Sequence, residues 1–352
     1  MIILSIETSC DETAISIVKA KGSSIDKLSF AILANKVSSQ IDIHQKYGGV
    51  YPMLAKREHL KNLPIILKEV FKETNYSEDN PPIDLIAITY GPGLEPALWT
   101  GINFAKKLSE KWNKPLSPIN HMEGHIFSAL VNQNKEKFLI SNFQFPIMAL
   151  LISGGHTELV LMKNWFKYKI IGQTRDDAVG EAFDKVARLL GLPYPGGPEI
   201  SKLAEKGKEN SEIKLPRPMI NSNDYDFSFA GLKTAVLYKV KKIPRLTNKT
   251  KIEIAKEFQE AVIDVLIRKT IRAVKEYKIK TVILGGGVSA NKQIQEAFKK
   301  TCQKNNIQLF FPTIEMTTDN ALMIAIAGYL RSIKNKTLNI KDLSAEGNLR
   351  LS

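Results

Sequence analysis

One pattern occurs twice in this chain. Residues 2–18 read IILSIETSCDETAISIV, and residues 148–162 read MALLISGGHTELVLM. Each is an apolar strand, a short polar turn with a threonine and an acid, and a second apolar strand. A third strand follows in each half, at 28–34 and at 168–171. Each half later carries a strand, a glycine turn and a helix: DLIAIT before Gly91-Pro92-Gly93-Leu94, and TVIL before Gly285-Gly286-Gly287. Strand, glycine turn, helix is the unit of an α/β fold, with the turn near a helix N-terminus. A chain that repeats both units builds one half twice, so we expect a duplicated α/β domain with a cleft between the halves. The 352 residues suffice for two domains of ordinary size. The 43% hydrophobic content can supply a sizeable core.

Between these units lies NHMEGH, residues 120–125, followed by Ile126, Phe127, Ala129 and Leu130. Four residues is about one helical turn, so His121 and His125 project from one helix face, a spacing that suits two nitrogen ligands on one metal. The plain alternative is two polar residues on a helix face. A metalloprotease reading fails, because Glu123 stands about 200° around the helix from His121 rather than at the general-base position. Further along, Thr317 or Thr318 is expected to cap the helix that starts at Ala321. Asp319 reads on residue type alone as a carboxylate favouring a helix start. The turn ETSCDET at 7–13 can receive phosphate or a metal-bound phosphate, or is a plain hairpin loop. We expect an amphipathic helix from Leu60 to Val70, a helix with carboxylates along one side over 176–185, and a long amphipathic helix over 254–277.

Lys and Arg number 50 against 36 Asp and Glu, a formal charge of +14. That surplus points to an anionic partner, nucleic acid first, or to lysines spread over solvated helix faces. Cys10 and Cys302 stand far apart in dissimilar surroundings, which argues against a disulfide framework and fits a reducing compartment. The N-terminus lacks the basic start of a signal peptide, and apolar runs such as 148–152 are strand-length, so we expect a cytoplasmic protein. No base partner is evident for Cys10, which reads as a buried small residue. His44 and His59 read as loop-ordering residues. His156 either faces a nucleotide or makes a structural hydrogen bond.

Nine motifs in one order carry a resemblance over roughly residues 1–330: ETSCDET, HQKYGGV, GPGL, NHMEGH, LISGGHTEL, DDAVGEAFDKVARLLGLPYPGGP, DFSFAGLKTAV, GGGVSANKQ and TTDNALMIA. Together they resemble the bacterial TsaD family of tRNA N6-adenosine threonylcarbamoyltransferases. The resemblance implies the actin-like, Hsp70-like ATPase fold, with two ribonuclease-H-like lobes around a nucleotide cleft. We expect residues 1–130 in the first lobe, completed by about 313–335, residues 131–312 in the second, and a loosely attached polar tail at 336–352.

The activity implied is transfer of a threonylcarbamoyl group from threonylcarbamoyl-AMP to N6 of adenosine 37 in tRNAs reading ANN codons. The implied cofactor is one divalent metal, iron or zinc, held by His121, His125 and Asp319. Leu151, Ile152, Ser153, Gly154, Gly155, Asp184, Gly197 and Asn291 would bind the adenine nucleotide (threonylcarbamoyl-AMP, AMP or ATP), and Asp11 would be the catalytic carboxylate. Implied partners are tRNA, a dimerisation homologue of TsaB type and a small ATPase of TsaE type, with no membrane. The chain departs from many relatives at Glu95-Pro96 and at Met53, outside the metal and nucleotide motifs. The rival of a different class is a non-catalytic nucleotide-binding module of the same fold.

Overall fold

The structure, a computed structural model, describes residues 1–22, 28–134, 137–140, 142–208, 213–334 and 343–352. The chain divides into two compact units, Met1–Asn142 with Pro312–Leu351, and Phe143–Phe311.

The first unit is built on a seven-stranded sheet. Its strands are β1 (Ile2–Glu7), β2 (Glu12–Lys21), β3 (Ser29–Ser39), β4 (Leu85–Gly91), β5 (Leu116–Asn120), β6 (Val131–Asn134) and β7 (Lys137–Ile140). β1, β2 and β3 run as an antiparallel meander, while β4 lies parallel to β1 and β5 parallel to β4. Its helices are α1 (Ile41–Gln45), α2 (Pro52–Thr74), α3 (Glu95–Trp112) and α4 (His121–Ala129). One core joins Leu4, Ile6, Ile15 and Ile17 of the meander to Leu63, Ile66 and Val70 of α2 and Ile102 and Leu108 of α3. The C-terminal helix Ala321–Ile333 is buried at every position from Ala321 to Leu330. A helix apolar all round must have neighbours all round. Here they are β1, β2, β5 and α4.

The second unit repeats the plan. β8 (Ile147–Ile152), β9 (Thr157–Asn164) and β10 (Lys167–Gln173) form an antiparallel meander, with β11 (Thr281–Gly285) parallel to β8 and β12 (Gln308–Phe310) parallel to β11. The order β10-β9-β8-β11-β12 is that of β3-β2-β1-β4-β5, so the internal echo in the sequence is a true structural duplication. Its helices are α5 (Val179–Leu189), α6 (Gly196–Ala204), α7 (Ala230–Lys241), α8 (Asn248–Glu276) and α9 (Lys292–Lys304). Their core centres on Phe183, Phe227, Phe229, Phe258 and Phe298 against β8 and β11.

Three local expectations are revised. Asp176 and Asp177 precede α5 rather than belonging to it. Asp176 instead accepts the backbone N–H groups of Phe229 and Ala230, at 2.8 and 3.2 Å, and so caps the approach to α7. Asn320, not Thr317 or Thr318, caps the C-terminal helix, its Oδ1 accepting from Met323 N–H at 3.0 Å. Thr317 is drawn instead into a 3-10 turn, donating to the Ile314 carbonyl at 2.7 Å. Of the stretch expected as a loose polar tail, 336–342 lies outside the described residues and 343–351 is tied down. Lys106 Nζ donates to the Leu343 carbonyl at 2.9 Å, Gly93 N–H to that of Gly347 at 3.1 Å, and Glu346 N–H to that of Tyr90 at 2.9 Å. Leu343 and Leu351 are buried there, which offsets the entropy of ordering a polar segment.

Candidate functional site

α4 begins directly at the end of β5, with Asn120 as its cap: Oδ1 accepts from Met122 N–H at 2.8 Å. His121 is therefore the first helical residue and His125 lies one turn on, both buried. Gly124 between them lets the C-terminal helix come close. A Cβ there would meet Met323 Cγ at 2.9 Å. That approach brings the N-terminal end of the C-terminal helix, and Asp319 just before it, to the histidines.

Asp319 Oδ1 lies 3.3 Å from His121 Nε2 and 3.3 Å from His125 Nε2, and the two Nε2 atoms are 3.1 Å apart. Two ligands about 2.0 Å from a tetrahedral metal would stand roughly 3.3 Å apart, so the spacing fits a shared cation. Hydrogen bonds span similar distances, and the tautomer decides between them. His121 Nδ1 lies 3.1 Å from Glu7 Oε2 and 3.3 Å from Ser9 Oγ. Glu7 itself accepts Thr89 Oγ1–H at 2.6 Å and Ser9 N–H at 2.5 Å, which fixes it as a carboxylate. A carboxylate at Nδ1 places the imidazole proton there and leaves a lone pair on Nε2. That lone pair faces the Nε2 of His125 and an ionised carboxylate, an arrangement that calls for a positive charge at the centre.

A proton can supply that charge: burial opposes a charge on His121, but Asp319 and Glu7 outweigh it and raise its pKa well above the usual histidine value, and a metal ion at Nε2 would displace that proton. Burial likewise opposes ionisation of Asp319, and the two histidines overcome it to hold its carboxyl far below the ordinary carboxylate range. Burial, with His121 alongside, keeps His125 neutral. Among the described residues its Nδ1 has no hydrogen-bond partner.

Glu7 is the residue that sequence reasoning missed. A carboxylate at the end of a strand before a turn carries no local mark of a metal site. We expect Glu7→Gln to weaken metal binding about 10- to 100-fold, because the amide offers its dipole in place of a charge. Titrating the purified variant with metal checks this, and an unchanged affinity would remove Glu7 from the site.

Asp11, in the β1–β2 turn, is buried, and its carbonyl accepts Gln40 N–H at 3.0 Å. Burial, then Asp11 and Asp319, push the neighbouring Glu12 up to about 10, so it is protonated near neutrality. The same causes raise the Cys10 thiol, which keeps it out of nucleophilic chemistry. His44 and His59 order this turn. His59 Nε2–H donates to the Cys10 carbonyl at 3.0 Å, and its Nδ1 lies 2.8 Å from Thr13 Oγ1. Burial keeps both rings neutral. Glu123 is engaged by Arg331, with Nε–Oε2 at 2.7 Å and Nη2–Oε1 at 2.9 Å, and is no base for the metal.

In the second unit the expected adenylate residues gather at the carboxyl ends of β8 and β11, where open α/β sheets take ligands. The β8–β9 turn closes on itself, with Ser153 N–H donating to the His156 carbonyl at 2.9 Å and His156 N–H to Ser153 Oγ at 3.1 Å. Gly180 N–H reaches the Ser153 carbonyl at 3.2 Å, docking the start of α5 on that turn. Asp184 Oδ1 accepts Gly196 N–H at 2.7 Å and fixes the start of α6. Asn291 caps α9 through Gln293 and Ile294 N–H, and its Nδ2 donates to Ser201 Oγ and Gln259 Oε1, both at 2.8 Å. A Cβ on Gly154, Gly155, Gly197 or Gly287 would meet nothing within 4 Å, so protein packing does not require glycine there. Close approach of a ligand to the backbone would. The side chains of Leu151 and Ile152 are wholly buried and their backbones lie in the β8–β9 ladder, Leu151 also facing Gly285 of β11, so these two residues anchor the turn.

A profile of the family described as "TsaD: tRNA N6-adenosine threonylcarbamoyltransferase" matches residues 31–326. The chain belongs to this family. A tRNA N6-adenosine threonylcarbamoyltransferase of Thermosipho africanus is 47% identical over 351 residues, covering 100% of both chains. One of Persephonella marina is 46% identical, covering 100% of this chain and 95% of its own. Among solved structures, full-length HypF in its phosphate- and nucleotide-bound form superposes with a TM-score of 0.59 at 12% identity, covering 95% of this chain and 46% of that one. The activator of the 2-hydroxyisocaproyl-CoA dehydratase from Clostridium difficile, with bound ADPNP, superposes with a TM-score of 0.51 at 13% identity, covering 96% of each chain. These likenesses show the fold, the actin-like, Hsp70-like ATPase fold. The chain is thus an enzyme of tRNA modification, a transferase that makes N6-threonylcarbamoyladenosine from threonylcarbamoyl-AMP and tRNA. Membership implies a metal ion and a nucleotide-related substrate. Among the described residues, no helix is long and apolar enough to cross a membrane.

Proposed function

We propose that this chain performs the transfer with one divalent cation, iron ahead of zinc, held by His121, His125 and Asp319. The observation that carries this reading is the convergence of His121 Nε2, His125 Nε2 and Asp319 Oδ1 within 3.3 Å of one another, with Glu7 set against His121 Nδ1. Two imidazoles and one carboxylate leave coordination positions for substrate oxygens, and the bound cation would supply Lewis-acid polarisation of the activated carbonyl.

N6 of adenosine 37 attacks the carbamoyl carbon. The C–N bond forms, the C–O bond to phosphate breaks, AMP leaves with the electron pair, and N6 gives up a proton. An aromatic amine is a weak nucleophile and the mixed anhydride is already activated, so the protein's task is positioning and charge stabilisation. Gly154, Gly155 and Gly197 offer open backbone to the AMP moiety, on a turn that Leu151, Ile152 and Ser153 hold in place. Asp184 and Asn291 hold the two helix starts that complete the cradle. The ADPNP named for one fold neighbour and the nucleotide named for the other favour a nucleotide ligand for this fold.

Asp11 accepts the proton lost by N6. Asp11→Asn is expected to slow transfer about 100-fold with metal content unchanged. Full activity in that variant, metal bound, would remove Asp11 from the reaction. The wider assembly comprises tRNA, a TsaB-type dimerisation homologue and a TsaE-type small ATPase, in the cytoplasm. The formal charge of +14 favours the RNA partner. The deciding assay combines purified chain, threonylcarbamoyl-AMP and unmodified tRNA, with and without those partners. Formation of the modified base with release of AMP is expected, and no product in any combination sinks the reading.

A further inference from the structure

The loop from α1 into α2 carries two tyrosines that the chemistry above does not use. Tyr47 and Tyr51 are 55% and 56% exposed, yet their rings stack, with centroids 5.9 Å apart and planes 28° from parallel. Lys46 Nζ lies 5.1 Å from the Tyr47 ring centroid. The first turns of α2 add Lys56, Arg57 and Lys61, the last two with side chains 75% and 69% exposed. Both approach Glu58 only to 3.8 and 3.7 Å, beyond good hydrogen-bonding distance, which leaves their donors open to another anion.

The loop is not slack. Tyr51 N–H donates to His44 Nδ1 at 3.3 Å, and His44 Nε2 meets Gln40 Oε1 at 3.1 Å. Gln40 Nε2 meets His59 Nδ1 at 3.3 Å, and His59 Nε2 donates to the Cys10 carbonyl. A continuous chain of buried polar groups thus ties the exposed rings to the residue next to Asp11. A rigid, solvent-facing aromatic pair ringed by cations suits unpaired nucleic-acid bases, which stack on aromatic faces while their phosphates meet Lys and Arg. The substrate offers such bases, because adenosine 37 lies in the anticodon loop and must be splayed out to expose N6.

We propose that Tyr47 and Tyr51 form a stacking platform for unpaired anticodon-loop bases beside the target adenosine, with Lys46, Lys56, Arg57 and Lys61 meeting the flanking phosphates. This rests on the family activity and goes beyond it by assigning an RNA contact. The test is steady-state transfer by the full chain with its partner subunits, varying tRNA and threonylcarbamoyl-AMP separately. The double variant Y47A/Y51A is expected to raise KM for tRNA about 10- to 100-fold. KM for threonylcarbamoyl-AMP and the melting temperature stay unchanged. Y47F/Y51F retains near wild-type behaviour, because stacking needs the rings and not the hydroxyls. Lys46→Ala and Lys61→Ala each lower the salt slope of binding to an anticodon stem-loop RNA by about one. An unchanged KM for tRNA in Y47A/Y51A overturns the proposal, as does equal loss in the phenylalanine variant. Lost co-elution with a partner subunit while stem-loop binding is intact would make the surface a protein-docking site and also overturn it.

Discussion

Alanine at His121, His125 or Asp319 is expected to strip the bound metal and to slow threonylcarbamoyl transfer about 100- to 1000-fold. The figure follows from the several kcal/mol that a Lewis-acid cation supplies, at roughly 1.4 kcal/mol per tenfold in rate. The three substitutions should not be equivalent. His125→Ala removes a buried ring whose Nδ1 has no partner among the described residues, so beyond its Nε2 contacts in the centre the fold loses only packing. His121→Ala also leaves the buried Glu7 carboxylate facing a cavity, so it should cost stability as well as metal. Asp319→Ala removes the anion that both histidines face and should leave the least residual metal. Elemental analysis of protein purified without air, followed by single-turnover transfer, reads both quantities. Stoichiometric metal and an undiminished rate in D319A would dismantle the three-ligand centre.

Glu123→Ala is expected to lower the melting temperature of the chain by roughly 10 °C. Glu123 is buried and bridges bidentately to Arg331, whose side chain is 16% exposed. Removing one partner of such a pair costs about 3 kcal/mol or more, because the remaining charge is left without compensation. In a unit of this size each kcal/mol is worth roughly 2–4 °C. The pair also clamps α4, which carries both histidines, to the C-terminal helix, which follows Asp319. Metal affinity should therefore fall along with stability, although Glu123 is no ligand. Glu123→Gln keeps the hydrogen bonds and should lose markedly less. A melting curve that superposes on wild type would show that the clamp contributes nothing.

Much of the architecture was legible beforehand because it is written in short-range patterns. The period-two apolar runs and the glycine turns of the two halves specified the meander and the parallel strands locally, and the duplicated sheet order follows from them. Errors fell where competing local options are close in energy. Thr317, Thr318 and Asn320 can all cap a helix, and the choice went to Asn320 because a 3-10 turn drew Thr317 to the Ile314 carbonyl. The tail at 336–352 read as loose because its apolar residues are few. Leu343 and Leu351 nevertheless find partners in the first unit.

What the sequence determined by itself is the spacing of His121 and His125 on one helical turn, the repeated hairpin and the open glycines, since each depends on neighbours a few residues away. Only the tertiary structure could decide the rest of the centre. Glu7 stands 114 residues from the histidine it orients, and Arg331 stands 208 residues from the glutamate it clamps. The Arg331 and Asp319 pairings arise because a C-terminal helix apolar from Ala321 to Leu330 must be buried against the first sheet, and burying it carries Asp319 to the imidazoles.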